Sequence, residues 1–238
     1  HGQCRFVYAS PNECRLIPYN GNGLIINGRQ QRIPAAAINI ATSGLVANTS
    51  YYVFAYMNAG AVALELQTTA SAPYSAHTDG VVIKTGDPTR TLVGQVATNA
   101  SQVVLVNSLN YNIASWFNRK PVVLLESVAT GTASTALVGL NNGFSYCSWA
   151  NETVVRLTVT GTTASSVAGY SLLSPEMDAV GLVAPRGMLL APGNDTQVSF
   201  SWPVSPMTNG RHQFNLRGRT TSGSVVNWNV YQLGEADL

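Results

Sequence analysis

The stretch 80–98, GVVIKTGDPTRTLVGQVAT, decides the fold class. Two apolar runs, Val81-Val82-Ile83 and Leu92-Val93, flank Gly86-Asp87-Pro88. Gly86 tolerates positive φ, Asp87 can bond its own downstream backbone, and Pro88 fixes φ and forbids helix, so these three residues predict a turn. The stretch therefore reads as two antiparallel strands joined by a tight loop. Just upstream the pattern recurs: residues 51–57, then Asn58-Ala59-Gly60, then residues 61–68. In the second of these strands Val62, Leu64 and Leu66 share one face, while Ala61, Ala63 and Glu65 take the other.

Further out, residues 5–9, 14–19 and 24–26 read as short strands, punctuated by Ser10-Pro11-Asn12 and by the NGNG at 20–23. Residues 33–40 carry Pro34 and three alanines, which predicts an edge strand, and 102–107 predicts one more. Residues 108–118, SLNYNIASWFN, break the alternation and predict a helical turn, ended by Arg119-Lys120-Pro121. We place a domain boundary here. Residues 1–118 are the expected N-terminal β domain, and 119–238 the expected β-sandwich-like domain. Trp116 and Phe117 are the expected packing between the two.

In the second half, strands are expected at 122–125, 144–149, 153–160, 177–183, 188–190 and 197–202, with a closing hairpin of 213–219 and 224–231 around a turn at 220–223. Val155, Leu157 and Val159 oppose Val154, Arg156 and Thr158, and Val226, Trp228 and Val230 alternate with Asn227, Asn229 and Tyr231. Many short strands and no amphipathic helix predict an all-β protein of two β-sandwich or β-barrel domains, with at most a short helical turn between them.

Only about 10% of the 238 residues are charged, so solubility rests on amides and hydroxyls, or on burial in an assembly. The net charge is +2, and no basic cluster exceeds Arg119-Lys120, which argues against nucleic acid. No apolar run reaches the length of a membrane span, so no membrane insertion is expected. The first residue is His1, and no signal-peptide pattern follows it. Three cysteines cannot all pair within one chain: Cys4 and Cys14 could sit on neighbouring strands, and reduced thiols of a protein made in a cytosol are the plainer alternative. Cys147, in FSYCSWA, is an expected buried thiol.

Chemistry is sparse. The histidines are His1, His77 and His212. His77 sits in a polar loop beside Asp79, and His212 alternates with Phe214 and Leu216 as a satisfied, partly buried imidazole would. Glu176 and Asp178 are close enough in sequence to suggest a glycosidase-like pair, although two loop carboxylates after Pro175 have a plainer explanation as surface charge. The cysteine and histidine metal motifs, the phosphate and dinucleotide loops and the calcium loop are all missing, so catalytic, cofactor and metal residues are each expected to be none. Sequons begin at Asn48, Asn99, Asn151 and Asn194, about as many as chance supplies at this Ser/Thr content. Among the aromatics, Trp149 and Tyr231 are the candidate ligand contacts, each weighed against a place in the core.

The segments YYVFAY at 51–56, GVVIKTGDPTRTLVGQVATNAS at 80–101 and SWFNRK at 115–120 together resemble a family of tailed-bacteriophage virion proteins of fibre, head-fibre or decoration type. The closing GRHQFNLRGRTTSGSVVNW at 210–228 is similar in character to the distal ends of phage tail fibres. The resemblance covers much of residues 1–120 in motif and the remainder in style, and no long fibrous shaft is present. It implies a non-enzymatic virion structural protein, made in the bacterial host cytoplasm and carried on the virion. It further implies a homotrimer that contacts other virion proteins and attaches to a host surface glycan. The alternative is a decoration protein of the capsid; a polysaccharide-cleaving tailspike is third, disfavoured by the few carboxylates.

Overall fold

The computed structural model describes residues 2–150, 153–165, 167–182, 185–190, 192–204, 207–221 and 225–238. His1, the sequon residue Asn151, Val183 and the turn residues Ser222-Gly223 lie outside these ranges. The protein is all-β, and no helix occurs among the described residues.

The first half contributes β1 (Cys4–Ser10), β2 (Glu13–Pro18), β3 (Gly23–Ile26), β4 (Arg29–Arg32), β5 (Ile38–Ala41), β6 (Ser50–Asn58) and β7 (Ala61–Thr68). These are followed by β8 (Tyr74–Ala76), β9 (Val82–Lys84), β10 (Asp87–Ala97), β11 (Asn110–Tyr111) and β12 (Ile113–Ser115). The hairpin of β6 and β7 turns on Ala59-Gly60, both at positive φ (46° and 86°), the two-residue geometry whose twist matches that of paired strands. In the 80–98 segment Gly86 has φ 80°, and Asp87 Oδ1 accepts from the Thr89 amide at 3.0 Å, as the local chemistry requires.

β6 and β10 pair at the centre of the sheet β7-β6-β10-β9-β8, with β12 also on β10. Both faces of this centre are covered. Tyr51, Val53, Ala55, Val93 and Val96 pack into a first core with Phe6, Leu16, Leu24 and Ile26, supplied by the sheets β1-β2-β5 and β3-β4. Tyr52, Phe54 and Leu92 point the other way, into a second core shared with residues 122–238. That is why the YYVFAY run is apolar on both faces instead of alternating.

The second half contributes β13 (Pro121–Thr132), β14 (Val138–Gly139), β15 (Phe144–Ser148), β16 (Val155–Ser165), β17 (Gly169–Met177) and β18 (Val180–Gly181). It ends with β19 (Arg186–Leu190), β20 (Thr196–Val204), β21 (Gly210–Thr220) and β22 (Val226–Asp237). One sheet runs β13-β22-β16-β20, and the other contains β15-β21-β17 with β19 on β17. Setting aside the short β14 and β18, the strands in chain order stand first-eighth-third-sixth in one sheet and second-seventh-fourth-fifth in the other. That wrapping is a jelly roll. Its inner faces meet over Phe144, Tyr146, Phe214, Leu157, Trp202 and Trp228.

Several sequence expectations are corrected. Residues 108–118 form no helical turn: Asn107 Oδ1 accepts from the Leu109 and Asn110 amides, each at 2.9 Å, and the chain then pairs as β11 with β15 and as β12 with β10. Distant partners override the local pattern. Of 33–40 only β5 is strand, because Ala37 turns the chain at φ 71°. Residues 102–107 form isolated bridges only, with Gln102 at φ 64°. The expected strand at 177–183 is broken by a turn at Asp178-Ala179, both at positive φ. The closing hairpin does not exist as a pair, since β21 and β22 lie in different sheets and β22 instead joins β13 and β16. The polar β4 and most of β17 went unread because neither alternates apolar with polar residues.

Sheet membership changes near residue 119, but β11 belongs to the second half's sheet. Buried polar contacts also cross between the halves: Gln95 Nε2 donates to Ser148 O at 2.7 Å and Ser145 Oγ to Asn112 Oδ1 at 2.8 Å.

Candidate interaction surface

The outer face of the sheet β13-β22-β16-β20 is built by strict alternation. Each of these strands alternates buried with open positions, leaving a broad outer face of serine, threonine, asparagine and glutamine side chains, with Val123, Leu125, Leu233 and Tyr231 toward its β13 side. The registers set these residues in rows across the four strands. One row is Ser127, Tyr231, Thr160 and Ser199; the next is Leu125, Leu233, Thr158 and Ser201. On the far side of the Tyr231 row stand Ala129, Asn229, Thr162 and Gln197, and the end row is Val123, Glu235, Arg156 and Pro203. The charges in these four rows are Glu235 and Arg156, which oppose one another across strands. Tyr231 is 48% exposed and Leu125 49%. A half-exposed phenol among hydroxyls and amides offers an apolar ring face, a polar tip and many hydrogen-bonding neighbours.

The other sequence-derived candidates sit elsewhere. Trp149 is wholly buried, stacked on Tyr52 at 6.3 Å between centroids and edge-on to Trp116 at 4.9 Å, with its indole N–H donated to Ser115 O at 3.3 Å. It offers no face to a ligand; an aromatic amid FSYCSWA is core because that strand is covered on both sides. Trp116 packs into the shared core and Phe117 into the first core, so the two neighbours point to different cores. Tyr231 alone of the candidates lies on an open surface.

His77, His212 and the carboxylates singled out in the sequence are engaged structurally. His212 is buried; its Nδ1 lies 2.6 Å from Asp178 Oδ2 and its Nε2 3.0 Å from Thr208 O. Both partners are acceptors, so both ring nitrogens carry protons, and neither lone pair is left to take a proton from the nearby Thr208 hydroxyl. Burial works against that charge, but the Asp178 and Thr208 contacts outweigh it and hold the pKa above the ordinary histidine value. Burial likewise works against the Asp178 carboxylate, and the His212 and Gln213 hydrogen bonds reverse this and lower its pKa. Glu176 is engaged instead by Arg217 Nη1 at 2.8 Å, so the two carboxylates serve separate cations and do not form a working pair. His77 Nδ1 lies 2.8 Å from Asp79 Oδ1 in its loop. The pairing of Asp178 with His212 was hidden in the sequence by their separation of 34 positions.

Asn141, Asn142, Glu176, Asn215 and Arg217 line a shallow polar depression on the other sheet. Its Asn141 amide is committed: Nδ2 donates to Glu126 Oε2 at 2.6 Å and to Gln232 Oε1 at 2.5 Å. Burial raises Glu126 above the usual carboxylate range, outweighing the hydrogen bonds from the Gly143 and Asn142 amides and the Asn141 side chain. No three metal-ligating side chains gather among the described residues. Cys4, Cys14 and Cys147 are free and buried. Cys4 opposes Pro18 and Cys14 opposes Tyr8, so the two lie on neighbouring strands but out of register. Burial pushes both thiols up to about 12, and raises Cys147 as well.

No family model matches this sequence, and no curated protein matches it. Among solved structures the chain is similar to the VP2 subviral particle of infectious bursal disease virus, at 12% identity and TM-score 0.35, covering 83% of this chain and 54% of that one. It is also similar to the insecticidal delta-endotoxin Cry8Ea1 of Bacillus thuringiensis, at 12% identity and TM-score 0.33, covering 97% of this chain and 51% of that one. The chain thus spans about half the length of these structures. Likeness at such values carries no argument about this chain.

Proposed function

We propose that this chain is a non-enzymatic virion structural protein of a tailed bacteriophage, of fibre or spike type, that contributes to attachment to a glycan on the host surface. The observation that carries the reading is the open, nearly uncharged sheet face of the jelly roll, with Tyr231 among serine, threonine and asparagine side chains. Weak stacking and hydroxyl contacts of that kind gain strength by repetition on a multimeric particle. In this reading the protein is a homotrimer whose first half docks on other virion proteins and whose jelly roll points outward. Jelly rolls serve both viral coats and lectins, which suits an attachment module of a particle. Buried, unpaired cysteines suit synthesis in a bacterial cytoplasm.

The second reading is a capsid decoration protein. It is favoured by Val123 and Leu125 on the same face, since exposed apolar side chains suit protein packing more than sugar.

Adsorption of the protein to host cells and to purified host surface polysaccharide tests the first reading. Tyr231→Ala should lower adsorption at least tenfold and leave the melting temperature nearly unchanged. Unaltered adsorption would remove the glycan role from this face.

A further inference from the structure

We propose that β13 pairs antiparallel with β13 of a second copy, about a twofold axis at Leu125. β13 pairs with β22 along its whole length, Pro121 opposite Asp237 through Thr132 opposite Val226, without a bulge. It is the last strand of its sheet, and among the described residues no main-chain bond reaches its other side. A long, regular edge with free N–H and C=O groups is a template for another strand, and natural edges are blunted by lysine, proline, bulges or short length. β13 contains no lysine, its proline is its first residue, and its one charge, Glu126, is engaged by Asn141. The opposite edge of the same sheet, β20, carries Pro203 within it.

The side chains argue for a copy of the same strand. Val123 and Leu125 are 56% and 49% exposed beside this edge. With the axis at Leu125, Leu125 meets Leu125 of the second copy, Val123 meets Ser127, and Pro121 meets Ala129. Because Leu233 lies opposite Leu125 within each copy, an apolar row Leu233-Leu125-Leu125-Leu233 then crosses the seam unbroken. An axis at Glu126 would set two carboxylates side by side, and an axis at Leu124 would end the overlap at Ser127. The contact is isologous and couples copies in pairs, so it is separate from threefold association of the same chain and does not depend on any glycan.

Disulfide trapping in the full chain tests it, because a residue on a twofold axis faces its own copy. Under mild oxidation Leu125→Cys should yield a covalent dimer on a non-reducing gel. Val123→Cys and Ser127→Cys should each stay uncrosslinked alone and should crosslink when mixed. The native cysteines are buried and do not compete. A Leu125→Cys protein that stays uncrosslinked while its thiol titrates freely would overturn the proposal, as would equal crosslinking at all three positions. As a second readout, Leu125→Lys should halve the mass of the wild-type assembly in sedimentation; an unchanged mass would also overturn it.

Discussion

Trp149 shows what a single residue does here. Its ring is wholly buried and touches Tyr52, Tyr74 and Trp116, all from the first half of the chain. Truncation to alanine should cost about 3–5 kcal/mol, as deleting a packed indole does, read by urea denaturation. Trp116→Ala should cost less, because Trp116 is only partly buried. A second residue-scale prediction concerns pH. The His212 pKa lies above its ordinary 6.5, so that residue's stabilising share is full below about 6.5 and is lost as pH rises through the raised value. The Asp178 pKa lies below its ordinary 3.8, so its share is full above 3.8 and is lost as pH falls through the lowered value. The gap in melting temperature between wild type and His212→Gln should be widest between those limits and should shrink toward alkaline pH. A gap constant from pH 5 to pH 9 would contradict the ion pair. At this scale the sequence was informative on burial: His212 alternating with Phe214 and Leu216 does face inward. It was silent on the partner, because Asp178 meets it only through the pairing of β17 with β21.

Among the elements, β10 is held by contacts that a side chain at Gly94 would break. A Cβ there would run into the Phe6 ring, where β1 lies over the central sheet. Gly94→Ala should therefore destabilise by about 1–3 kcal/mol through overpacking. Combining it with Phe6→Leu should give a non-additive double-mutant cycle; simple additivity would show that the two do not touch. Element type was legible wherever one face is buried and the other wet, as in β16, where Val155, Leu157 and Val159 turn inward and Arg156 outward. Reading failed where that contrast is missing. β12 is buried on both faces, so IAS carries no alternation, and β4 is polar throughout. It failed again at 213–231, where two good strands close in sequence mimic a hairpin although each belongs to a different sheet. Local turn signals cannot tell a hairpin from a crossing between sheets.

At the scale of the whole molecule, two cores share the central sheet of β6 and β10. The first half owns one core entirely and lends Tyr52, Phe54 and Leu92 to the other. We expect a fragment of residues 1–118 to keep its strands apart from β11, whose sheet partner β15 is lost, and to bind a hydrophobic dye strongly, since its second face is bared. Circular dichroism with dye fluorescence checks this, and a fragment with weak dye binding would contradict a shared core. The all-β class was legible from composition and turn chemistry, whereas the jelly-roll wrapping was not. That wrapping depends on Pro121–Thr132 finding Val226–Asp237 across most of the second half, a pairing no local window contains. The exposed Tyr231 face follows from the same distant pairing, whereas Trp149 is buried by Tyr52, Tyr74 and Trp116 of the first half. The central claim, the proposed structural place on a phage particle, is tested most directly by immunogold electron microscopy of particles purified from the source of the sequence. An antibody against this chain should decorate intact particles, at the tail tip for the attachment reading or in a regular array over the head for the decoration reading. Bare particles, with the protein recovered only from the soluble lysate, would contradict the claim.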